Sequence, residues 1–300
     1  MLDFRVETFL AVCRHMNFTK AARELNITQP AVSHHIHYLE QAYGTALFQH
    51  NGKRLQLTEA GEILRRTLLT MKHDEQHLQK RMQQAASGTR DYSFGATLSG
   101  AELMIDEALG RFLQLHPDNH NQMQVAVTKV LLSKLDSGEL DFAVVEGDFP
   151  KAEYDFFVFG TEEYVAAGDP EKAARYRGRR LTDLLVEPLL LREEGSGTRV
   201  ILEYYLKEHG LAAADFARTV EIGNIGAIKT LLKSGYGVSF LYRAAIRPEE
   251  AAGTLGVIEL SDFRLRHDIM FLFPKNSNFR ADYTAIFREL RACAEETGSA

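Results

Sequence analysis

The chain has 300 residues, enough for two or three domains, and its 45% hydrophobic content is ordinary for a globular protein. No run approaches the roughly 20 apolar residues of a membrane helix. The start, Met1-Leu2-Asp3-Phe4-Arg5, lacks a secretory signal, and Cys13 and Cys293 read as two bland thiols, so a cytoplasmic protein with no membrane partner is expected.

The net charge of −6 speaks against a nucleic-acid binder unless it is unevenly spread. It is: residues 1–60 carry a net +1 and five of the 11 histidines. Only the first domain is expected to touch phosphates, and +1 is low enough that more than one copy would be needed for avidity.

Leu2, Val6, Phe9, Leu10 and Cys13 mark a first helix at 3.6-residue period. Ala21, Ala22 and Leu25 mark a second, broken by Asn26-Ile27-Thr28. Thr28 is a good N-cap, and Pro30 is tolerated in the first turn, where its missing N–H costs nothing. In the third helix Val32, Ile36 and Leu39 form an inner stripe, which leaves Gln29, Pro30, Ser33, His34 and His37 outward. That is the pattern of a helix-turn-helix whose second helix reads the major groove. The run from Leu47 to Leu57 alternates around Asn51-Gly52, a hairpin signal, so Lys53 and Arg54 would sit on a wing against the DNA backbone.

Thr58 caps a long helix from about Glu59 to Ser87, with Leu64, Leu68, Met71, Leu78 and Met82 on one stripe. A second copy of the same helix is the simplest partner for that stripe. His73 and His77 share a face at ligand-pair spacing, but with no third ligand they read as a solvated face, so no metal is expected. Ser87-Gly88-Thr89 ends the helix.

Beyond residue 90 strands and helices alternate, which predicts a mainly parallel sheet with ligands at the carboxyl ends of its strands. The expected elements are a strand at Tyr92–Thr97, a helix at Glu102–Leu115, a strand at Gln122–Thr128, a helix at Val130–Ser137 and a strand at Leu140–Val145. Pro188–Leu191, Thr198–His209, Thr219–Ile222, Ile225–Ser234 and Val238–Leu241 repeat the theme, and Ile269–Phe273 and a helix from Phe279 to about Ala294 close it. Phe156–Phe159 and Phe271–Phe273 read as core strands.

Two helix starts stand out. Thr97-Leu98-Ser99-Gly100-Ala101-Glu102 and Gly195-Ser196-Gly197-Thr198 each lead from a strand into a helix, where free N–H groups favour an anion. Thr128, at the end of the next strand, would face the same cleft. The plain alternatives are a capping box at Ser99-x-x-Glu102 and an ordinary Gly-Ser-Gly turn. Gly195-Ser196-Gly197-Thr198 lacks the Gly-Lys-Ser/Thr of a P-loop. No catalytic set of nucleophile and base stands out, so neither an enzyme nor a cofactor is expected.

Together these strings resemble the LysR-type transcriptional regulators: Phe18-Thr19-Lys20-Ala21-Ala22 through Thr28-Gln29-Pro30-Ala31-Val32-Ser33, then Leu39-Glu40, Leu47-Phe48 and Leu57-Thr58-Glu59-Ala60-Gly61. Gly138–Gly147 and Arg192–Arg199 are similar to the effector-binding part of that family. The resemblance implies an α/β protein: a winged helix-turn-helix at 1–58, a dimerising linker helix at 59–89 and a two-subdomain sensor at 90–300, like a periplasmic binding protein. Subdomain I would span about 90–161 and 266–300, subdomain II about 162–265. The partners it implies are double-stranded promoter DNA, a small effector, here expected to be anionic, and further copies of the chain as dimer or tetramer.

DNA contacts are expected from Thr28, Gln29, Pro30, Ser33, His34, His37, Lys53 and Arg54, and effector contacts from Thr97, Ser99, Gly100, Thr128, Ser196, Gly197 and Thr198. The alternative is a constitutive binder of the same type with a vestigial sensor. The chain departs from the family at His34, His37 and His50, where Arg is typical. Neutral imidazole offers one donor and no charge, so altered base reading is expected, and a reference pKa of about 6.5 could make DNA affinity rise on mild acidification.

Overall fold

Asn17 and Thr28 set the geometry of the first domain. In the computed structural model of the chain, which describes residues 3–52, 54–88, 90–101, 106–146 and 149–297, each side-chain oxygen caps a helix start. Asn17 accepts from the Lys20 amide and opens α2 (Phe18–Glu24), and Thr28 accepts from the Ala31 amide and opens α3 (Gln29–Tyr43). Asn26 adopts φ 54° in the turn between them. With α1 (Phe4–His15) these helices bury Phe9, Leu10, Val12, Ala21, Val32 and Ile36 in one core. The wing is β1 (Phe48–Asn51) paired antiparallel with β2 (Arg54–Leu57), Asn51 opposite Arg54. Lys53 at its tip lies outside the described residues.

The linker helix α4 (Glu59–Ser87) begins at Thr58, which accepts from the Gly61 amide, and ends at Gly88 with φ 77°. Its apolar stripe divides. Leu64 and Leu68 are buried in the core of the first domain and are not available to a second copy, a correction to the single-stripe reading. Met71, Leu78 and Met82 are exposed. The polar face is corrected too: His73 and His77 are buried, at 1% and 5% exposure, because that face lies on the second domain. His73 donates through Nε2 to the Leu140 carbonyl at 2.9 Å, and Asp74 accepts from Ser277 and Asn278. Both imidazoles pack near the Tyr283 ring.

The second domain is built on one nine-stranded sheet of two parallel halves. In the first half β3 (Ser93–Ala96) lies between β4 (Gln122–Val125) and β5 (Phe142–Val145), parallel to both. In the second, β7 (Pro188–Leu191) lies parallel between β8 (Arg218–Glu221) and β9 (Val238–Tyr242). The long strands β6 (Tyr154–Gly168) and β11 (Leu265–Pro274) join them: they pair antiparallel with each other along their length, β11 pairs with β5 and β6 with β9. A further strand, β10 (Gly256–Ile258), pairs with β6. The sheet is therefore parallel only within each half, and its centre is antiparallel.

Helices α5 (Leu98–Gly100), α6 (Asp106–Leu115), α7 (Thr128–Ser137) and α12 (Arg280–Thr297) accompany the first half. Helices α8 (Pro170–Arg175), α9 (Gly197–Glu208), α10 (Ile225–Lys233) and α11 (Arg247–Ala251) accompany the second. Each half has its own apolar core, around Phe94, Phe142 and Phe271 in one and Leu184, Leu202 and Phe240 in the other. The expected capping box at Ser99 is not how α5 starts: Thr97 is its N-cap, Ser99 lies within the turn, and Glu102 is outside the described residues. Thr128 is the first residue of α7 and not the end of a strand, since β4 stops at Val125. Among the described residues no helix is long and apolar enough to cross a membrane.

Candidate DNA-reading face and sensor cleft

Helix α3 turns one face to solvent because Val32, Ile36 and Leu39 take the other into the core. Thr28, Gln29, Pro30, His34 and His37 are exposed and Ser33 is half-buried. Gln29 donates to Ser33 Oγ at 2.9 Å, and Gln41 sits 2.9 Å from His37 Nε2, so both polar side chains are lightly held and free to re-pair. His35 points inward instead: its Nδ1 lies 2.9 Å from Thr8 Oγ1 and its ring stands edge-on to Phe4. Arg54 is exposed on the wing. The result is a convex face of amide, hydroxyl and imidazole groups with one flanking guanidinium, a set that can donate and accept at base edges or phosphates.

At the carboxyl ends of β3, β5 and β7, where the two halves of the sheet meet, lies a cavity of about 190 Å³. Thr97, Ser196 and Gly197 line it, with Leu98, Val125 and Val127 as its apolar wall. The other expected effector residues are placed around it. Thr198 Oγ1 is bonded to Ser196 Oγ at 2.9 Å, and Thr128 donates to the Glu146 carbonyl at 3.2 Å. Ser99 is buried, and a Cβ on Gly100 would meet Val144 O at 3.3 Å, so that glycine serves packing within the first half.

Three charged groups that the sequence reading did not single out line the cavity, Arg192, Glu193 and Glu146. Arg192, 4% exposed, is gripped by Glu193 through Nε at 2.8 Å and Nη2 at 2.9 Å, while its buried Nη1 has no hydrogen-bond partner among the described residues. Glu146, 2% exposed, accepts from the Thr97 hydroxyl. Burial pushes its carboxyl above the usual range, against the pull of the Thr97 hydrogen bond and the Arg192 charge. Gly197 is glycine for a contact reason: a Cβ there would lie 2.8 Å from Glu146 Cγ and 2.9 Å from its carbonyl oxygen. Glu146 was hidden in sequence because it follows an apolar strand whose end was read as packing. Its one signal was an acid directly after Val144-Val145.

The comparisons with known proteins agree with this layout. Residues 5–62 match the family model of the bacterial regulatory helix-turn-helix protein, lysR family, and residues 86–294 match the LysR substrate binding domain. The chain belongs to the LysR family. It is thus a transcriptional regulator that binds DNA and carries an effector-binding domain, and it is not an enzyme. It is 28% identical over 305 residues to a RuBisCO operon transcriptional regulator of Acidithiobacillus ferrooxidans, covering 97% of this chain and 94% of that one. It is 30% identical to the regulator CfxR of Cupriavidus necator, over 86% and 80% of the two chains. Among solved structures, full-length LysG of Corynebacterium glutamicum superposes with TM-score 0.61 at 18% identity, covering 99% of both chains. The regulatory domain of Synechocystis CcmR does so with TM-score 0.60 at 20% identity, over 68% of this chain and 97% of that one.

Proposed function

We propose that this LysR-type regulator senses a small, anion-bearing effector in the cavity between the two halves of its sensor. The observation that carries the reading is that the Arg192 guanidinium lines the cavity together with Ser196 and Gly197 at the start of α9: a cation next to free helix amides is a seat for an anion. Two proteins of the same fold point the same way, CcmR being described in complex with 2-PG and LysG with bound effector Arg. Thr97, Ser196 and Gly197 would contact the ligand directly. Ser99, Gly100, Thr128 and Thr198 would hold the walls. Effector-driven closure of residues 162–265 on the remainder of 90–300 would be carried to the winged helices, 1–58, by the linker, 59–89.

On DNA, Gln29, Pro30, Ser33 and His34 would read base edges or adjacent phosphates, with Thr28 and His37 beside them and Lys53 and Arg54 on the backbone. Exposed Met71, Leu78 and Met82 would join copies into a dimer or tetramer, working in the cytoplasm. A constitutive binder with a vestigial sensor is favoured by one observation, the Glu146 carboxyl inside the cleft, but the cavity left open beside it favours a sensor. The experiment is a thermal-shift screen of the full chain against small organic and inorganic anions, followed by DNA binding with any hit. At a hundredfold excess over its dissociation constant a ligand adds about 2.7 kcal/mol, a plainly visible shift. A clean negative with intact DNA binding would favour the constitutive reading.

A further inference from the structure

The charges around the cavity do not describe a seat for an anion alone. Arg192 supplies one guanidinium, already bonded twice to Glu193. Glu146 and Glu193 supply two carboxyls. A ligand that carries only negative charge would enter a wall with more acid than base. The groups are also laid out separately: the Arg192 guanidinium and the start of α9 offer donors from one half, while Glu146, held by Thr97 of its own half, offers an acceptor from the other.

We propose that the effector is a small zwitterion of the α-amino acid class, its carboxylate at Arg192 and the start of α9 and its ammonium on Glu146. The inference rests on the cavity being the effector site and adds the second pole of the ligand. An ammonium beside Glu146 relieves an unfavourable feature of the site, a buried carboxyl with no cation of its own bonded to it among the described residues. With that ammonium in place Glu146 is held ionised and paired, as Glu193 is already paired with Arg192. Size agrees. A cavity of about 190 Å³ holds roughly six waters at ~30 Å³ each, room enough for a compact amino acid. Leu98, Val125 and Val127 give its side chain an apolar wall, so small side chains fit best.

The test compares ligands that differ only in the amino group: glycine with acetate, L-alanine with propionate, L-aspartate with succinate. Each is titrated calorimetrically at millimolar concentration into the full-length wild type and the Glu146→Gln variant. The expected result is that at least one amino acid binds the wild type and its amino-free partner does not, and that Glu146→Gln weakens that binding by roughly tenfold or more. Acids that bind as tightly as their amino counterparts would overturn the zwitterion and leave an anion sensor standing. Binding of an amino acid that is unchanged in Glu146→Gln would also overturn it. If no ligand of either kind binds, the zwitterion fails, and the sensor reading stands or falls on the wider anion screen. Should Glu146→Gln not fold, the paired titrations on the wild type decide alone.

Discussion

His77 on the linker helix and Asp141, 64 residues further on and directly before β5, are joined by a 3.2 Å hydrogen bond in the interior. Lys80 reaches the same carboxylate oxygen at 3.1 Å and the Ser93 amide reaches the other at 2.7 Å. Burial alone would raise the Asp141 carboxyl, but the His77 hydrogen bond and the Lys80 charge hold it below the usual range. The linker is thus attached to the sensor by polar, directional contacts. Such contacts can be exchanged for water when the halves move, which a purely apolar seam resists.

Asp74 is part of the same seam. Burial raises its carboxyl, yet the His73 ring 4.0 Å away and hydrogen bonds from Ser277 and Asn278 outweigh this and bring it to about 2. A depressed carboxyl stabilises above its unfolded pKa of about 3.9, and that contribution is lost as pH falls toward the folded value. Asp74→Asn should therefore cost about 2 kcal/mol in urea unfolding at pH 7, with the gap to wild type narrowing below about pH 4. A gap that stays constant down to pH 3 would show that the charge on Asp74 is not what matters.

Glu146 has the opposite sign. Its folded pKa is raised by burial, so the stability it contributes is full below its unfolded pKa and is lost as pH rises through the folded value. Glu146→Gln, free of ligand, should match wild type near pH 4 and melt higher than it near pH 8. Each unit of the raised pKa is worth about 1.4 kcal/mol there. A variant that melts lower at pH 8 would mean that the carboxylate is well solvated or fully paired.

Much of the architecture was legible because it rests on short-range chemistry. Thr28, Thr58 and Asn51-Gly52 mark a cap, a cap and a turn by themselves, and α4 runs over the span its period announced. What was hidden was relational. Nothing in the spacing of His73 and His77 tells that the helix face carrying them lies on Leu140 and Asp141, so they read as solvated. β6 and β11 were seen only as the apolar fragments Phe156–Phe159 and Ile269–Phe273, because each changes its neighbours between the two halves and its burial pattern changes with them. In the cleft the hydroxyls stand out through the helix starts they occupy, whereas Glu146 and Arg192 acquire meaning only from lining one cavity.

The linker's two apolar stretches should answer differently to substitution. Leu68→Ala empties a place in the core of the first domain, where Leu68 is 3% exposed, and should cost about 2–5 kcal/mol. Leu78→Asp with Met82→Asp touches exposed positions, so stability should stay within about 0.5 kcal/mol while sedimentation shows weaker self-association. An unchanged oligomer would place the contact between copies elsewhere.

On DNA the charges can be counted through salt. Arg54→Ala should weaken binding to all sequences about equally and make the slope of log K against log salt shallower by about 0.9. His37→Arg, on the exposed face of α3, should steepen it by a similar amount if that side chain meets a phosphate. Slopes that do not change in either variant would move both residues off the DNA backbone.

The central claim is that a ligand in the cleft alters what the winged helices do on DNA. The direct measurement is fluorescence anisotropy of the full chain on labelled promoter DNA at fixed salt, with and without the cleft ligand found by titration, in wild type and in Ser196→Ala. The account predicts that the ligand changes the DNA dissociation constant of the wild type by roughly 5- to 150-fold, the range of ordinary coupling energies, and that Ser196→Ala needs more ligand for the same change. A ligand that binds the cleft and leaves both the affinity and the footprint on DNA unchanged would contradict it.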